Sequence, residues 1–199
     1  VQTYEDDNNG FLSEINIDEL LPKIKWADVV TIGPGISKSE ETQNSVIKVL
    51  RRRNFKNIII DADAVFALNK SRYKDINLKN SVFTPHMGEF AELLGLSVSV
   101  IKQDVLKYGS NFVSKTGAYL VLKGAPTIIF TPNGDTLINS SGNPSLAKFG
   151  TGDVLTGTIA GLLSQNNDIE KAVVSAVYIH GLAADLLVAS KTEYSVMAG

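Results

Sequence analysis

Short apolar runs rich in β-branched residues alternate along this chain with longer segments of helical periodicity. The runs lie at residues 28–32, 58–60, 81–84 and 119–122. A continuous apolar run such as Ile58-Ile59-Ile60 is typical of a strand that is covered on both faces. Strands that alternate with helices favour a mostly parallel α/β sheet with helices on both faces, which is the predicted fold class.

A turn signal predicts two further strands. Asn133 and Gly134 both tolerate the positive φ of a type I′ turn, so residues 127–130 and 136–138 are predicted to form a hairpin. A capping pair of Asn167 and Glu170 is predicted to begin the last helix. The other predicted helices span residues 17–24, 37–52, 88–94, 100–115 and 153–165.

Glycine-rich and polar motifs follow the first four predicted strands. Gly33-Pro34-Gly35 follows the first, Asp61 and Asp63 follow the second, His86 follows the third and Lys123 follows the fourth. Open parallel sheets bind ligands outside the carboxyl ends of their strands. The sequence therefore predicts one ligand site at this edge of the sheet.

The residue types at these motifs leave alternatives open. Gly33 and Gly35 fit a plain strand-to-helix turn or a backbone that approaches a substrate. In an extended segment the Asp61 and Asp63 side chains would point the same way, to hold a hydrated Mg²⁺ or to accept capping bonds. His180 lies within an apolar helical segment and is predicted to be a core or interface residue.

A glycine loop with an acid opens the predicted helix at 153–165. Gly150, Thr151, Gly152 and Asp153 run directly into this helix. The free N–H groups and the dipole of a helix N-terminus favour an anion, and the glycines let the backbone approach it. The segment that follows Lys123 does not match the Walker A pattern. Phosphate binding is therefore predicted at residues 150–153.

Composition narrows the class of protein. Of 199 residues, 44% are hydrophobic and 20% are charged, as expected of a globular domain. The net charge of −2 does not favour binding to nucleic acid or to an anionic membrane. The absence of cysteine excludes disulfides, thiolate metal sites and thiol catalysis. No secretory leader is recognised, so the expected localisation is cytoplasmic.

Five motifs occur in a fixed order: TIGPG at 31–35, IIIDADA at 58–64, TPHMGE at 84–89, VLKGAPTII at 121–129 and NPSLAKFGTGDVLTG at 143–157. This ordered set resembles the ADP- or ATP-dependent NAD(P)H-hydrate dehydratases, a carbohydrate kinase-related repair family of the ribokinase-like superfamily. The resemblance implies one ribokinase-like catalytic domain over residues 1–199, incomplete at both ends. Family members usually carry a further strand and helix before the GPG strand.

The resemblance also implies roles for individual residues. Asp153 is expected to be the general base, a buried carboxylate that deprotonates the C6 hydroxyl of hydrated NADH or NADPH. ADP or ATP is the expected phosphoryl donor, with Mg²⁺ on the phosphates. Asp61 and Asp63 are weak candidates for holding hydrated Mg²⁺. The expected substrate contacts are Gly33, Gly35, His86 and Asp153, and the expected nucleotide contacts are Lys123, Gly124, Ala125, Pro126, Thr127, Gly150, Thr151 and Gly152.

Three residues depart from the family pattern. Met87 replaces the usual proline after the histidine, and is expected to loosen that loop. Phe149 and Ser145 stand where the family has glycine or another small residue. Phe149 is expected either to narrow the site or to pack beneath it.

Two other functions remain open at this point: a ribokinase-like small-molecule kinase and a non-catalytic nucleotide-binding remnant. The expected partner is a small-molecule substrate, with no nucleic acid and no membrane. The resemblance further suggests a homo-oligomer, a tetramer in the family, and functional pairing with an NAD(P)H-hydrate epimerase. The single-domain layout favours ADP slightly over ATP.

Overall fold

A computed structural model describes residues 12–52, 56–69, 72–190, 192 and 195–198. Its strands form a single six-stranded sheet in the order β1-β2-β3-β4-β5-β6. Strands β1 to β4 are mutually parallel, whereas β5 and β6 pair antiparallel to β4 and to each other. The strands are β1 Val29–Ile32, β2 Asn57–Ile60, β3 Ser81–Phe83, β4 Tyr119–Leu122, β5 Ile128–Phe130 and β6 Thr136–Ile138.

Eight α-helices and three short 3₁₀ helices surround this sheet in the described part of the chain. The 3₁₀ helices are Glu14–Asn16, Arg72–Asp75 and Pro144–Leu146. The α-helices are α1 Ile17–Trp26, α2 Glu40–Arg51, α3 Ala62–Ala67, α4 Met87–Leu94, α5 Val98–Gln103, α6 Val105–Thr116, α7 Thr151–Asn166 and α8 Ile169–Val188. The mostly parallel α/β fold and the hairpin are thus confirmed.

Two helix boundaries differ from the prediction. The helix expected over residues 100–115 is divided into α5 and α6 at Asp104. Its backbone is not helical, with φ −156° and ψ 71°, and its side chain accepts from the Lys107 N–H at 3.0 Å, which caps the new helix. The last helix is capped by Asp168, which accepts from the Lys171 N–H. Asn167, predicted as the cap, instead ends α7 with a left-handed φ of 53°.

The sheet has an apolar layer on each face. One layer packs α2, α3, α4 and α6 against the sheet, and Phe112 of α6 makes edge-on contacts with Tyr73, Phe83 and Phe90 at ring distances of 5.5, 5.2 and 5.8 Å. The other layer packs α7 and α8 against Ile59, Val82, Val121 and Ile129. Helices on both faces leave the carboxyl ends of the parallel strands as the open edge of the sheet.

Helix α8 is unusually apolar. By length and composition it is the one described helix that could cross a membrane, and 33% of its apolar 18-residue stretch is buried within the protein. Its buried residues include Val173, Ala176 and Val177, which face α7 and the sheet. Core helices of soluble proteins can be equally long and apolar, so the composition of α8 is weak evidence for a membrane span.

Candidate active site

Asp61 connects three elements at the carboxyl edge of the sheet. It follows β2 and is only 1% exposed. Its Oδ1 accepts from Lys123 Nζ at 3.0 Å, and its Oδ2 accepts from Thr156 Oγ1 of α7 at 2.8 Å. Because a buried carboxylate is costly unless it is paired and hydrogen-bonded, these contacts fix the positions of β4, α7 and the lysine relative to one another.

The ammonium of Lys123 lies at the beginning of α7. A Cβ atom placed on Gly152 would lie 3.3 Å from Lys123 Nζ, so a side chain at this position would crowd the lysine. Gly150 precedes the helix with a left-handed φ of 85°. A lysine charge and the N-terminal turn of a helix therefore converge, as a phosphate site requires, and at this turn the Thr151 N–H donates to the Lys148 carbonyl at 3.4 Å.

Three threonines support this arrangement. Thr156 Oγ1 lies 3.5 Å from Thr84 Oγ1 at the end of β3, and both side chains are buried. Thr151 Oγ1 lies 2.7 Å from the Leu146 carbonyl and 2.8 Å from the Lys148 carbonyl. Sequence reasoning missed Thr84 and Thr156. The available signals were that Thr84 begins the TPHMGE motif and that Thr156 follows Asp153 by three residues in the predicted helix.

The two glycines of the GPG turn have different environments. Gly33 is buried, and a Cβ atom there would lie 1.7 Å from the Asp61 carbonyl oxygen. This close approach of two backbones explains Gly33 without a substrate. Gly35 is exposed with a φ of 70°, and a Cβ atom added to it would meet no other atom within 4 Å. The backbone of Gly35 therefore stays accessible to a ligand.

The Asp61 and Asp63 side chains do not point the same way, contrary to the prediction. Ala62 takes a φ of 45° and α3 begins there, so the segment is not extended. Asp63 turns to the GPG loop, where its Oδ2 accepts from the Ser37 N–H at 3.0 Å. Among the described residues, no group of three His, Cys, Asp or Glu side chains could hold a metal ion, and both Asp61 oxygens are already bonded.

His86 caps α4. Its Nδ1 accepts from the Glu89 N–H at 3.1 Å, while its own N–H donates to Glu89 Oε2 at 2.8 Å, a reciprocal capping box. The imidazole remains 60% exposed and its Nε2 lies 3.4 Å from Glu89 Oε1. The capping box is formed with Met87 in place of proline, so His86 and Glu89 keep their positions at the start of α4.

Asp153 lies in the first turn of α7 but is exposed, whereas a buried carboxylate was expected. It shares the outward face of α7 with Val154 and Gly157, while Leu155 and Thr156 face inward. Phe149 is fully exposed and does not pack beneath the loop. Ser145 is buried, and its hydroxyl has no hydrogen-bond partner in the described part of the chain.

The segment after Lys123 is an exposed turn between β4 and β5. Gly124, Ala125 and Pro126 are exposed, and Thr127 Oγ1 donates to the Gly124 carbonyl at 3.3 Å. The Lys123 N–H donates to the Pro85 carbonyl at 2.8 Å, which joins this turn to the loop of His86. The expected nucleotide segment thus adjoins Lys123 at the same edge of the sheet.

His180 of α8 also reaches the glycine loop, an arrangement that the sequence did not reveal. Its side chain is half-buried, and it forms a hydrogen bond with the Thr151 backbone. Burial lowers the pKa of His180 below its ordinary value, and the hydrogen bond offsets this effect only in part. The neutral imidazole is therefore favoured in the folded protein.

A separate cavity of about 600 Å³ lies beside the amino-terminal ends of β3 and β4. Tyr73, Leu78, Tyr108, Phe112 and Lys115 are among its lining residues. None of the predicted site residues lines it. It is therefore distinct from the carboxyl-edge site.

Solved structures of similar proteins identify the fold class of this chain. The fold matches a ribokinase-like superfamily protein from Enterococcus faecalis with a TM-score of 0.81 and 33% identity, over 94% of this chain and 64% of that one. It also matches the ADP/ATP-dependent NAD(P)H-hydrate dehydratase from Bacillus subtilis, co-crystallised with ATP/Mg²⁺, with a TM-score of 0.75 and 32% identity, over 94% of this chain and 72% of that one. The fold is ribokinase-like.

The chain belongs to the NAD(P)H-hydrate dehydratase (Carb_kinase) family, whose model matches residues 7–198. It is 39% identical over 191 residues to the bifunctional NAD(P)H-hydrate repair enzyme Nnr of Moorella thermoacetica. That match covers 96% of this chain but 36% of the relative. The chain therefore spans only about a third of that relative's length.

Proposed function

We propose that this chain catalyses the nucleotide-driven dehydration of (6S)-hydrated NADH and NADPH back to NADH and NADPH, a metabolite-repair reaction. The observation that carries the proposal is the Lys123 ammonium, which buried Asp61 holds beside Gly152 at the start of α7. Asp153 lies one residue further along the same turn. A lysine charge and a carboxylate thus lie at the same helical turn, and these are the groups that phosphoryl transfer to an alcohol would use.

The reaction proceeds in two steps. Asp153 takes the proton of the C6 hydroxyl, and the oxygen attacks the terminal phosphorus of ATP or ADP while the bond to the departing nucleotide breaks. The phosphate then leaves from C6, and loss of a proton from the adjacent ring carbon forms the double bond. The N-terminal turn of α7 at Gly150 to Gly152 and the side-chain ammonium of Lys123 stabilise the negative charge that spreads over the transferred phosphoryl group.

The exposed position of Asp153 suits a base that meets its substrate from the open edge of the sheet. Gly35 and His86 line the same edge and are the proposed substrate contacts, whereas Gly33 is buried for packing reasons. The exposed turn from Gly124 to Thr127 is the proposed adenosine side of the nucleotide site.

ADP or ATP is the proposed phosphoryl donor, and Mg²⁺ would bind as a complex with the phosphates of the nucleotide. The carboxylates of Asp61 and Asp63 do not fit as direct ligands, because each Asp61 oxygen already accepts a hydrogen bond from Lys123 or Thr156 and Asp63 faces the GPG loop. Mg²⁺ would supply further charge neutralisation when bound to the nucleotide. We infer no step that depends on a metal held by these residues.

The test is turnover of hydrated NADH with ADP or ATP, followed by the return of dihydronicotinamide absorbance. We expect turnover by the wild-type chain and a loss of at least about a hundredfold in Asp153→Asn, because general-base catalysis contributes at least that factor. Nucleotide affinity should be largely retained in this variant. An unchanged rate in Asp153→Asn would remove this residue from the base role.

The same assay separates the other two functions. A stable phosphorylated alcohol without recovery of NADH would identify a small-molecule kinase. Nucleotide binding without any turnover would identify a non-catalytic remnant. Both results would contradict the dehydratase.

We also propose the setting of this activity. Residues 1–199 belong to a single ribokinase-like catalytic domain that works in the cytoplasm as a homo-oligomer, with a tetramer as the expected state. An NAD(P)H-hydrate epimerase is the proposed functional partner, and the bifunctional name of the Moorella thermoacetica relative supports such a pairing. Size-exclusion chromatography with light scattering measures the oligomeric state.

A further inference from the structure

Asp185 of α8 binds the turn that precedes the glycine loop. Its Oδ2 accepts from the Gly142 N–H and its Oδ1 accepts from Asn143 Nδ2, each at 2.8 Å. Each carboxylate oxygen thus has its own donor, and hydrogen bonds to an ionised acceptor are stronger than those between neutral groups. Nothing in the proposed chemistry uses Asp185, although these two bonds connect distant parts of the chain.

Helix α8 approaches the same turn closely at a second point. A Cβ atom on Gly181 would lie 2.3 Å from Ser141 Oγ and 2.7 Å from the Ser141 carbonyl carbon. Ser141 Oγ in turn donates to the Tyr178 carbonyl at 2.8 Å. Residues 178, 181 and 185 are spaced so that they share one face of α8, and this face holds the turn at residues 141–143.

A continuous series of contacts leads from this turn to α7. Asn143 Oδ1 accepts from the Ser145 N–H at 3.0 Å and so caps the 3₁₀ helix Pro144–Leu146. The carbonyl of Leu146, the last residue of that helix, accepts from Thr151 Oγ1 at 2.7 Å. Asp185 is therefore linked through Asn143 and a single helical turn to the first residue of the phosphate-binding helix.

We propose that Asp185 is a positioning residue, which fixes the Gly142–Asn143 turn and thereby holds the Gly150–Gly152 loop in the geometry that binds the nucleotide phosphates. The inference deepens the proposed function and rests on it for the identity of the ligand. Asp185 itself touches neither substrate nor nucleotide. Its effect passes through Asn143, the 3₁₀ helix and Thr151.

The first test is hydrogen exchange of the peptide covering residues 144–155, measured on the whole chain without ligand. We expect this peptide to exchange on the order of tenfold faster in Asp185→Ala, because loss of the anchoring bonds lets the segment open locally. Asn143→Ala is the second variant: it keeps the bond from the Gly142 N–H to Asp185 but removes the Asn143 Nδ2 bond and the cap on the Ser145 N–H. Glu92→Ala, which removes an exposed carboxylate on α4, is the control and should leave exchange unchanged.

The second test is titration of the same proteins with ADP by calorimetry. We expect roughly tenfold weaker ADP binding in Asp185→Ala. Adding Asn143→Ala should weaken binding by less than the sum of the two single effects, because the two changes share the Asp185–Asn143 bond. In turnover assays the KM for nucleotide should rise more than the KM for hydrated NADH. A purely structural role would lower thermal stability and leave these ratios unchanged.

Two results would overturn the proposal: exchange of residues 144–155 that is unchanged in both variants, or faster exchange with unchanged ADP affinity. The exchange experiment needs no activity and no ligand. Failure of the wild-type chain to dehydrate hydrated NADH would therefore disprove the proposed function without deciding the role of Asp185.

Discussion

At the scale of single residues, Asp61 is the centre of the site, although the sequence suggested only a weak metal ligand. It is buried, and it orients Lys123 and Thr156 at once. Asp63, two residues later, accepts a hydrogen bond from the Ser37 N–H of the neighbouring loop. The adjacent aspartates thus have different roles, because α3 begins between them.

Asp61→Asn should therefore weaken ADP or ATP binding by about tenfold or more, since the lysine loses its charged partner at the phosphate site. Asp63→Asn is the matched control, and we expect it to change nucleotide affinity much less. Calorimetric titration of both variants with ADP checks this. Equal effects of the two substitutions would show that Asp61 does not orient the lysine.

The GPG glycines provide a second prediction at this scale. Gly33→Ala should abolish stable folding, because its new Cβ would overlap the Asp61 carbonyl. Gly35→Ala has open space around it and should cost only about 1–2 kcal/mol, the strain of a left-handed residue with a side chain. Thermal unfolding of the two variants measures the difference, and similar stabilities would contradict the close approach at Gly33.

At the scale of secondary-structure elements, α8 does more than cover the sheet. The sequence predicted an apolar helix with His180 in a core or interface position, and the buried face fits that pattern. The contacts of His180 with Thr151 and of Asp185 with Gly142 were not predictable. They depend on how the loop at residues 139–150 folds back on the helix, and periodicity carries no information about that.

His180 makes the stability of this helix pair depend on pH. Its folded-state pKa is lowered below the ordinary value of 6.5, so the unfolded chain takes up a proton first as the pH falls. The neutral imidazole therefore contributes stability above pH 6.5, and this contribution is lost as the pH falls from 6.5 through the folded-state pKa. Urea unfolding of wild type and His180→Asn between pH 7.5 and about 5 checks this, and equal pH slopes would contradict it.

At the scale of the whole molecule, the alternation of strands and helices was sufficient to predict the sheet, its mostly parallel order and the edge that carries the motifs. Strand and helix identity follow from local periodicity, which is why the β5–β6 hairpin and α7 were found close to their observed bounds. The break at Asp104 and the cap at Asp168 were missed, because side-chain capping decides between neighbouring polar residues.

The site was only partly predictable for the same reason. The order of motifs placed Lys123 and Gly150 to Asp153 at one edge, and the structure brings Lys123 beside Gly152. The Asp61–Thr156 bond joins residues that are 95 positions apart, so no local pattern reveals it. The exposure of Asp153 depends on the rotation of α7 against the sheet, which helical periodicity in this glycine-rich segment leaves poorly defined.

The most direct measurement is a crystal structure of this chain with Mg²⁺ and a non-hydrolysable ATP analogue. The account predicts that the terminal phosphate contacts Lys123 Nζ and the N–H groups of Gly150 to Gly152, with the adenosine along residues 124–127 and the Asp153 carboxylate facing the phosphorus. Phosphates bound elsewhere, for example beside Lys115 at the opposite end of the sheet, would contradict it.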